Sequence, residues 1–128
     1  MPHRVFTADA PSPAGHYSQA IVHRGIVYVA GQLPIDPQSG RRLTGESIEV
    51  QAEQALRNLA AVLKEAGSDL EHALKVTVYL SDIALWDRVN TIYAATFGAA
   101  RPARTVVPCR ELHHDLLIEI DAIAAVRE

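Results

Sequence analysis

An α+β domain is what this sequence predicts, and three observations point to it. Two stretches, 47–67 and 81–98, repeat apolar residues at three- and four-residue spacing. Runs rich in alternating apolar residues lie before, between and after them. The order is therefore strands, helix, strand, helix, strands, spread over a chain whose 128 residues make one domain, 1–128. Two helices of this length cover only one face of a sheet of five or six strands. The other face, carrying Thr77, Tyr79 and Val107, is too apolar to leave in water. That predicts a homo-oligomer, with any pocket where subunits meet.

Residues 8–16 form a loop by composition, with prolines at 11 and 13 and a glycine at 15. The runs 17–23 and 26–30 make a hairpin turning at Arg24-Gly25. The second run, Ile26-Val27-Tyr28-Val29-Ala30, is β-branched and aromatic and reads as a central strand. Gly31 ends it and permits a backbone conformation or a close approach that other residues forbid. A second loop follows through Asp36-Pro37 and Ser39-Gly40 to Gly45. Ser47 is the N-cap of the first helix, whose stripe is Ala52, Ala55, Leu56, Leu59, Val62, Leu63 and Ala66, and Gly67 terminates it.

Leu74, Val76, Val78 and Leu80 alternate with Lys75, Thr77 and Tyr79 in a half-buried strand. Ser81 or Asp82 caps the second helix, with Trp86, Val89, Asn90, Tyr93 and Phe97 on its inner stripe. Asn90 is the polar member of that stripe and needs a partner if buried. Gly98 closes the helix and Pro102 resets the chain. The last two strands, 101–105 and 117–122, are expected to pair as an antiparallel hairpin across the bend 110–115, which sets Arg104 opposite Glu119. A guanidinium there can grip a carboxylate with two parallel hydrogen bonds, and a neighbouring glutamate can orient or deprotonate water. A structural cross-strand ion pair is the commoner meaning of such a pairing.

The net charge of −3 and the lack of a basic run give no footprint for nucleic acid or an acidic membrane. Cys109 is the single cysteine, which excludes an intrachain disulfide and suggests a reducing compartment; with no signal peptide and no spanning segment, the expectation is cytoplasmic. There is no nucleophile elbow, phosphate-binding glycine loop or dinucleotide fingerprint. His113-His114-Asp115 is the densest histidine cluster, but neighbours on a strand point to opposite faces, and the zinc spacings are absent. Cys109 lacks an evident activating base and reads as an inert thiol. Tyr17, at the start of a strand after a Gly-His bend, reads as structural or pocket-lining in nearly equal measure.

The chain resembles the RidA/YjgF family of enamine/imine deaminases over nearly its whole length. The matching segments are 14–20, 30–34, helix 51–67, 76–80, 89–93, 101–104 and 118–124, in the same order and at the same spacing. The resemblance implies a chorismate-mutase-like fold of about six strands with two helices on one face. It also implies a homotrimer with clefts between subunits. By the same resemblance Arg104 binds the substrate carboxylate, Glu119 handles water, and Tyr17, Gly31, Asn90 and the backbone near Val106 line the cleft. The implied reaction is hydrolysis of 2-imino acids of the 2-aminoacrylate class to 2-keto acids and ammonia, with no cofactor, metal or covalent nucleophile. The partners implied are the imino or keto acid and further copies of the chain, not nucleic acid or membrane.

Some positions depart from the family pattern. His16 replaces a common proline, Ala30 a serine, Val106 a cysteine, and Arg101 an aromatic or aliphatic residue. These changes bear on the substrate more than on the reaction type. The alternatives are a trimer that binds small carboxylates without turnover, in which Glu119 would be dispensable, a ribonuclease or translation inhibitor, or a holdase.

Overall fold

The computed structural model describes all of residues 1–128. The elements in chain order are β1 (His3–Val5), β2 (Ala20–His23), β3 (Ile26–Gln32), α1 (Ile48–Glu65), β4 (Ala73–Leu80), α2 (Trp86–Phe97), β5 (Ala103–Pro108) and β6 (Ile118–Ala125). They build one six-stranded mixed sheet in the order β1-β2-β3-β6-β4-β5. No helix is long and apolar enough to cross a membrane.

The first hairpin turns where the sequence places it. Arg24 and Gly25 both take positive φ, 51° and 78°, which is the geometry a two-residue turn needs to match strand twist. Strand β2 begins at Ala20 rather than Tyr17, so Tyr17 lies in the preceding loop. That loop is anchored by Gln19, a fully buried amide. It accepts from the Thr7 N–H at 2.7 Å and donates to the carbonyls of Thr7 and Pro11 at 3.0 and 2.9 Å. β1 pairs with β2 at the outer edge, a strand that three residues of unremarkable composition do not announce.

Helix α1 forms for the reasons its sequence states. The Ser47 hydroxyl accepts from the Val50 N–H at 3.2 Å, and Gly67 takes φ 82° after the last turn. Its buried stripe, from Ile48 through Leu63, lies against the sheet. In α2 the buried members are Val89, Tyr93 and Phe97. The cap differs from expectation. Asp82 caps a short 3₁₀ turn, Ile83–Leu85, through the Ala84 N–H, and α2 then continues without a side-chain cap of its own.

The expected hairpin between 101–105 and 117–122 does not exist. β5 pairs only with β4, in parallel, and β6 lies on the other side of β4, antiparallel to it and to β3. Arg104 therefore stands opposite Val76, and Glu119 stands opposite Tyr79. Two causes account for this. The helix α2 supplies the crossover that a parallel β4–β5 pair requires. In β6, Ile118, Ile120, Ala122 and Ala124 are all buried beneath the helices, so the strand gains most by taking the centre of the sheet. The connection 109–117 is long enough to carry the chain past β4.

Both helices pack on one face, over a single core that joins Val27, Val76, Val78, Ile118 and Ile120 to the stripes of α1 and α2. The opposite face is uncovered. It carries Thr77, Tyr79 and Val107, as expected, with Tyr28 and Ile123 exposed beside them.

One buried polar cluster ties the helix layer to the site. Asn58 on α1 donates to the carbonyls of Leu33 and Ile35 at 3.0 and 2.9 Å, and accepts from Gln54 at 2.9 Å. It fixes the chain that leaves β3 just beyond Gly31. Replacing it removes the side-chain donor from both carbonyls and leaves that of Leu33 with only the Ile35 N–H, at 2.8 Å. Asn58→Ala is expected to cost about 2 kcal/mol in urea unfolding, toward the upper part of the range for losing a buried hydrogen-bond partner; a loss below about 0.5 kcal/mol would show that the loop holds itself.

Candidate functional site

Sheet alternation decides where each candidate side chain goes. Arg104 lies opposite Val76, which is buried under the helices, so its side chain emerges on the helix-covered face. Glu119 lies opposite Tyr79, between the buried Ile118 and Ile120, and emerges on the uncovered face. Within one chain the two do not look into a common space. Each heads its own cluster.

The Arg104 cluster is built on the first turns of α2 and the edge strand β5. Trp86, Asn90 and Tyr93 sit four and then three residues apart, on one helix face. The Arg104 guanidinium lies 5.3 Å from the Trp86 ring centroid and 4.6 Å from that of Tyr93. Each contact stabilises the cation by about 0.5–2 kcal/mol, more as water is excluded. Nη1 donates to Asn90 Oδ1 at 2.9 Å. This is the partner the polar stripe residue required. A guanidinium has five N–H donors, so most remain for a ligand.

Tyr93 is buried and packs on Phe97 with ring centroids 4.4 Å apart and planes tilted by 33°, and its hydroxyl has no hydrogen-bond partner within the chain. Burial holds its phenol above the usual range, with Arg104 opposing. What Tyr93 gives Arg104 is its ring face. The cleft beside this cluster, about 420 Å³, is also lined by Phe97, Arg101 and Pro102. Val106 follows on the same face of β5, whose outer edge has no strand partner.

The Glu119 cluster lies on the other face. Gly31 is where it is because of Glu119: a Cβ on Gly31 would overlap Glu119 Oε2 and come within 2.9 Å of its Cδ. Burial pushes the Glu119 carboxyl above its ordinary value, the Asp121 carboxylate adds to this, and His113 opposes it. Asp121 accepts from the Tyr79 hydroxyl at 3.2 Å, and burial with Asp121 and Glu119 holds that phenol up as well. Tyr17, Gly31, His113 and His114 line a small recess of about 60 Å³. Tyr17 is 53% exposed there, its backbone N–H donating to Gly15 at 3.1 Å.

The site residues read from the sequence thus separate into Arg104, Asn90 and Val106 on one side and Glu119, Gly31 and Tyr17 on the other. Three further residues enter that the sequence reading assigned elsewhere. Trp86 and Tyr93 appeared there only as helix stripe, although their spacing with Asn90 already put all three on one face. From the sequence, His113 reads as solvated loop. It and His114 are not on a strand; they occupy a tight turn with positive φ at His114, and their rings stack at 3.7 Å. Periodicity carries no signal for that turn. Cys109 donates its thiol to the Leu80 carbonyl at 3.4 Å, away from both clusters.

Comparison with known proteins bears on both fold and site. The family model described as endoribonuclease L-PSP matches residues 7–126. A RutC family protein of Pyrococcus horikoshii is 46% identical over 120 residues, 94% of each chain. Reactive Intermediate Deaminase A, chloroplastic, of Arabidopsis thaliana is 39% identical over 122 residues, which are 95% of this chain and 65% of that protein. The crystal structure of E. coli TdcF with bound serine superposes with a TM-score of 0.92 at 29% identity, covering 98% of this chain and 99% of that one. The match runs through both helices and all the sheet strands from β2 to β6. By fold and by sequence, this chain belongs to the RidA/YjgF family.

Proposed function

We propose that the protein hydrolyses reactive 2-imino acids to 2-keto acids and ammonia, in clefts completed by two subunits of a homotrimer. One observation carries this: Arg104 is held by two aromatic rings and an amide, all neutral, where it lines an open cleft, with no carboxylate of its own. A guanidinium so prepared is a receptor for a planar anion. Support comes from the relative named a reactive intermediate deaminase and from the bound amino acid in the TdcF structure.

The opposed faces of Arg104 and Glu119 are the reason for invoking a second subunit. The uncovered sheet face brings Glu119, Gly31 and Tyr17 to a contact between copies, where the neighbour's Arg104 edge can meet them. The substrate carboxylate then lies on Arg104, with main-chain groups of β5 near Val106 at its side. Tyr17 and Gly31 line the far wall.

The chemistry asks little of the protein. The imine carbon is electrophilic before binding. Water held by Glu119 adds to it as the C=N double bond opens, and Glu119 takes one proton from the water and passes it to the nitrogen; Glu119 then takes the remaining hydroxyl proton as the C=O bond forms and the C–N bond breaks, and returns it to the nitrogen, which leaves as ammonia. The raised Glu119 carboxyl is a better base than an ordinary carboxylate, and fixed orientation supplies the rest.

Arg104→Ala is expected to abolish acceleration in a coupled assay that generates the imine in place and follows keto acid, without dissociating the oligomer. Arg104→Lys loses most of it too, since an ammonium cannot reproduce the fork. An unchanged rate in Arg104→Ala would sink the assignment. Subunit sharing has its own test. Arg104→Ala and Glu119→Ala homotrimers, each inactive, are unfolded together and refolded as a mixture. If each cleft takes one residue from each of two neighbours, about one cleft in four regains both; no recovery in a mixed oligomer places both residues in one chain's site.

The pH dependence follows from Glu119. It acts as a base only when ionised, and its carboxyl titrates above the ordinary 4.5. The rate is therefore expected to fall as pH drops through a value higher than that, and the limb to vanish with the residual rate of Glu119→Gln. A limb at or below 4.5 in a full pH–rate profile would contradict the role.

A further inference from the structure

We propose that the cleft beside Arg104 takes a ligand with two carboxylates, and that Arg101 holds the second. The inference rests on the imine-hydrolase reading and names its substrate class: 2-imino dicarboxylates, the products of oxidising acidic amino acids.

Two arginines border the cleft. Arg101 and Arg104 both line it, with Asn90, Tyr93, Phe97 and Pro102, and no aspartate or glutamate does. Elsewhere the arginines that form ion pairs find acids on the surface: Arg41 with Glu46, Arg88 with Glu49, Arg127 with Asp69. Neither Arg101 nor Arg104 enters any such pair. Two like charges facing one volume are unfavourable until an anion enters, and a monocarboxylate answers only one of them.

The backbone supports a fixed second anchor. Pro102 locks its own φ and holds Arg101, the residue before it, in an extended conformation. Arg101 and Arg104 then start at most about 10 Å apart along the chain, a span that two long side chains can close around a ligand of about four or five carbons. The overall charge is −3, so a dianion gains nothing from the long-range field of the chain. Only a local pair of cations can draw it in. The distal carboxylate takes no part in the reaction, in which water adds to the imine carbon, the C–N bond breaks and ammonia leaves. Arg101 is accordingly a specificity determinant, and its effect belongs in KM.

The test generates imines in place with amino-acid oxidases, from glutamate and from the apolar amino acid of equal chain length. It compares kcat/KM for wild type, Arg101→Ala and Arg101→Lys. In Arg101→Ala the dicarboxylate-to-monocarboxylate ratio is expected to fall about tenfold, through KM, the size of one charge-assisted hydrogen bond. Arg101→Lys should retain most of the preference. Equal ratios in wild type and Arg101→Ala would overturn the proposal. If no imine is turned over at all, the hydrolase reading has failed, and calorimetric titration with 2-ketoglutarate and 2-ketopentanoate still decides the present one. A preference for the dicarboxylate that Arg101→Ala abolishes sustains it; no preference refutes it.

Discussion

Everything in this molecule turns on β4, the strand that β5 and β6 share. β6 pairs along its length on one side and β5 on the other, one antiparallel and one parallel. Successive residues of a strand face opposite ways, so the registers against β4 fix the faces of both neighbours at once. Val76 and Val78 look into the core and bring Arg104 and Val106 to the helix side. Tyr79 looks out and brings Glu119 with it. Sliding β5 by one residue would exchange the faces of Arg104 and Val106, and sliding β6 would exchange that of Glu119 and drive Ile118 and Ile120 into water. Several kcal/mol of apolar burial thereby hold apart two groups that the proposed reaction needs together. In the proposed oligomer, assembly is what reunites them, and the uncovered face offers the surface for it.

The parts of the fold written in local physics could be read from the chain. Helix α1 is specified by its cap, its stripe and its terminal glycine, all within reach of one another along the sequence. The β2–β3 turn is specified by two adjacent residues. The partner of β6 is not written locally. Its alternation of Ile118, Ile120 and Ala122 says that one face is buried, but not which strands lie beside it. The expectation of a hairpin took sequence neighbours for spatial neighbours. A connection as long as 109–117, ending in the turn at His113–Asp115, was the warning, because short loops are what make adjacent strands pair.

The candidate site was legible in its residue types and illegible in its assembly. Arg104 and Glu119 stand out because a charge in an apolar strand needs a reason, and Asn90 because it interrupts a hydrophobic stripe. The structure answers the second directly, with the bond from Arg104. It also shows why Trp86 and Tyr93 matter beyond packing: they form the aromatic walls against which the guanidinium lies. Of the two reasons for a glycine at 31, backbone conformation and close approach, the second is the one at work, since no positive φ occurs there. Its cause is the carboxylate of Glu119, which occupies the space of the missing Cβ. A contact between distant residues of the chain cannot be seen from either one alone.

Positions where a chain departs from its family's pattern gain meaning from the same geometry. Ala30 and Val106 remove polar groups, and the structure attaches no specific contact to the loss. Arg101 adds one. It does so beside the residue proposed to bind the carboxylate, in a cleft free of acids, on a backbone stiffened by Pro102. A long, flexible cation on an exposed surface carries no such implication, since solvent screens it and its entropy opposes any single contact. What separates Arg101 from the other surface arginines is that its neighbour Arg104 is already oriented by two rings and an amide. A ligand fixed at one end by that guanidinium presents its other end at a limited set of places. The second cation then meets an anion held in position, and the entropic cost of ordering Arg101 is offset within a single binding event.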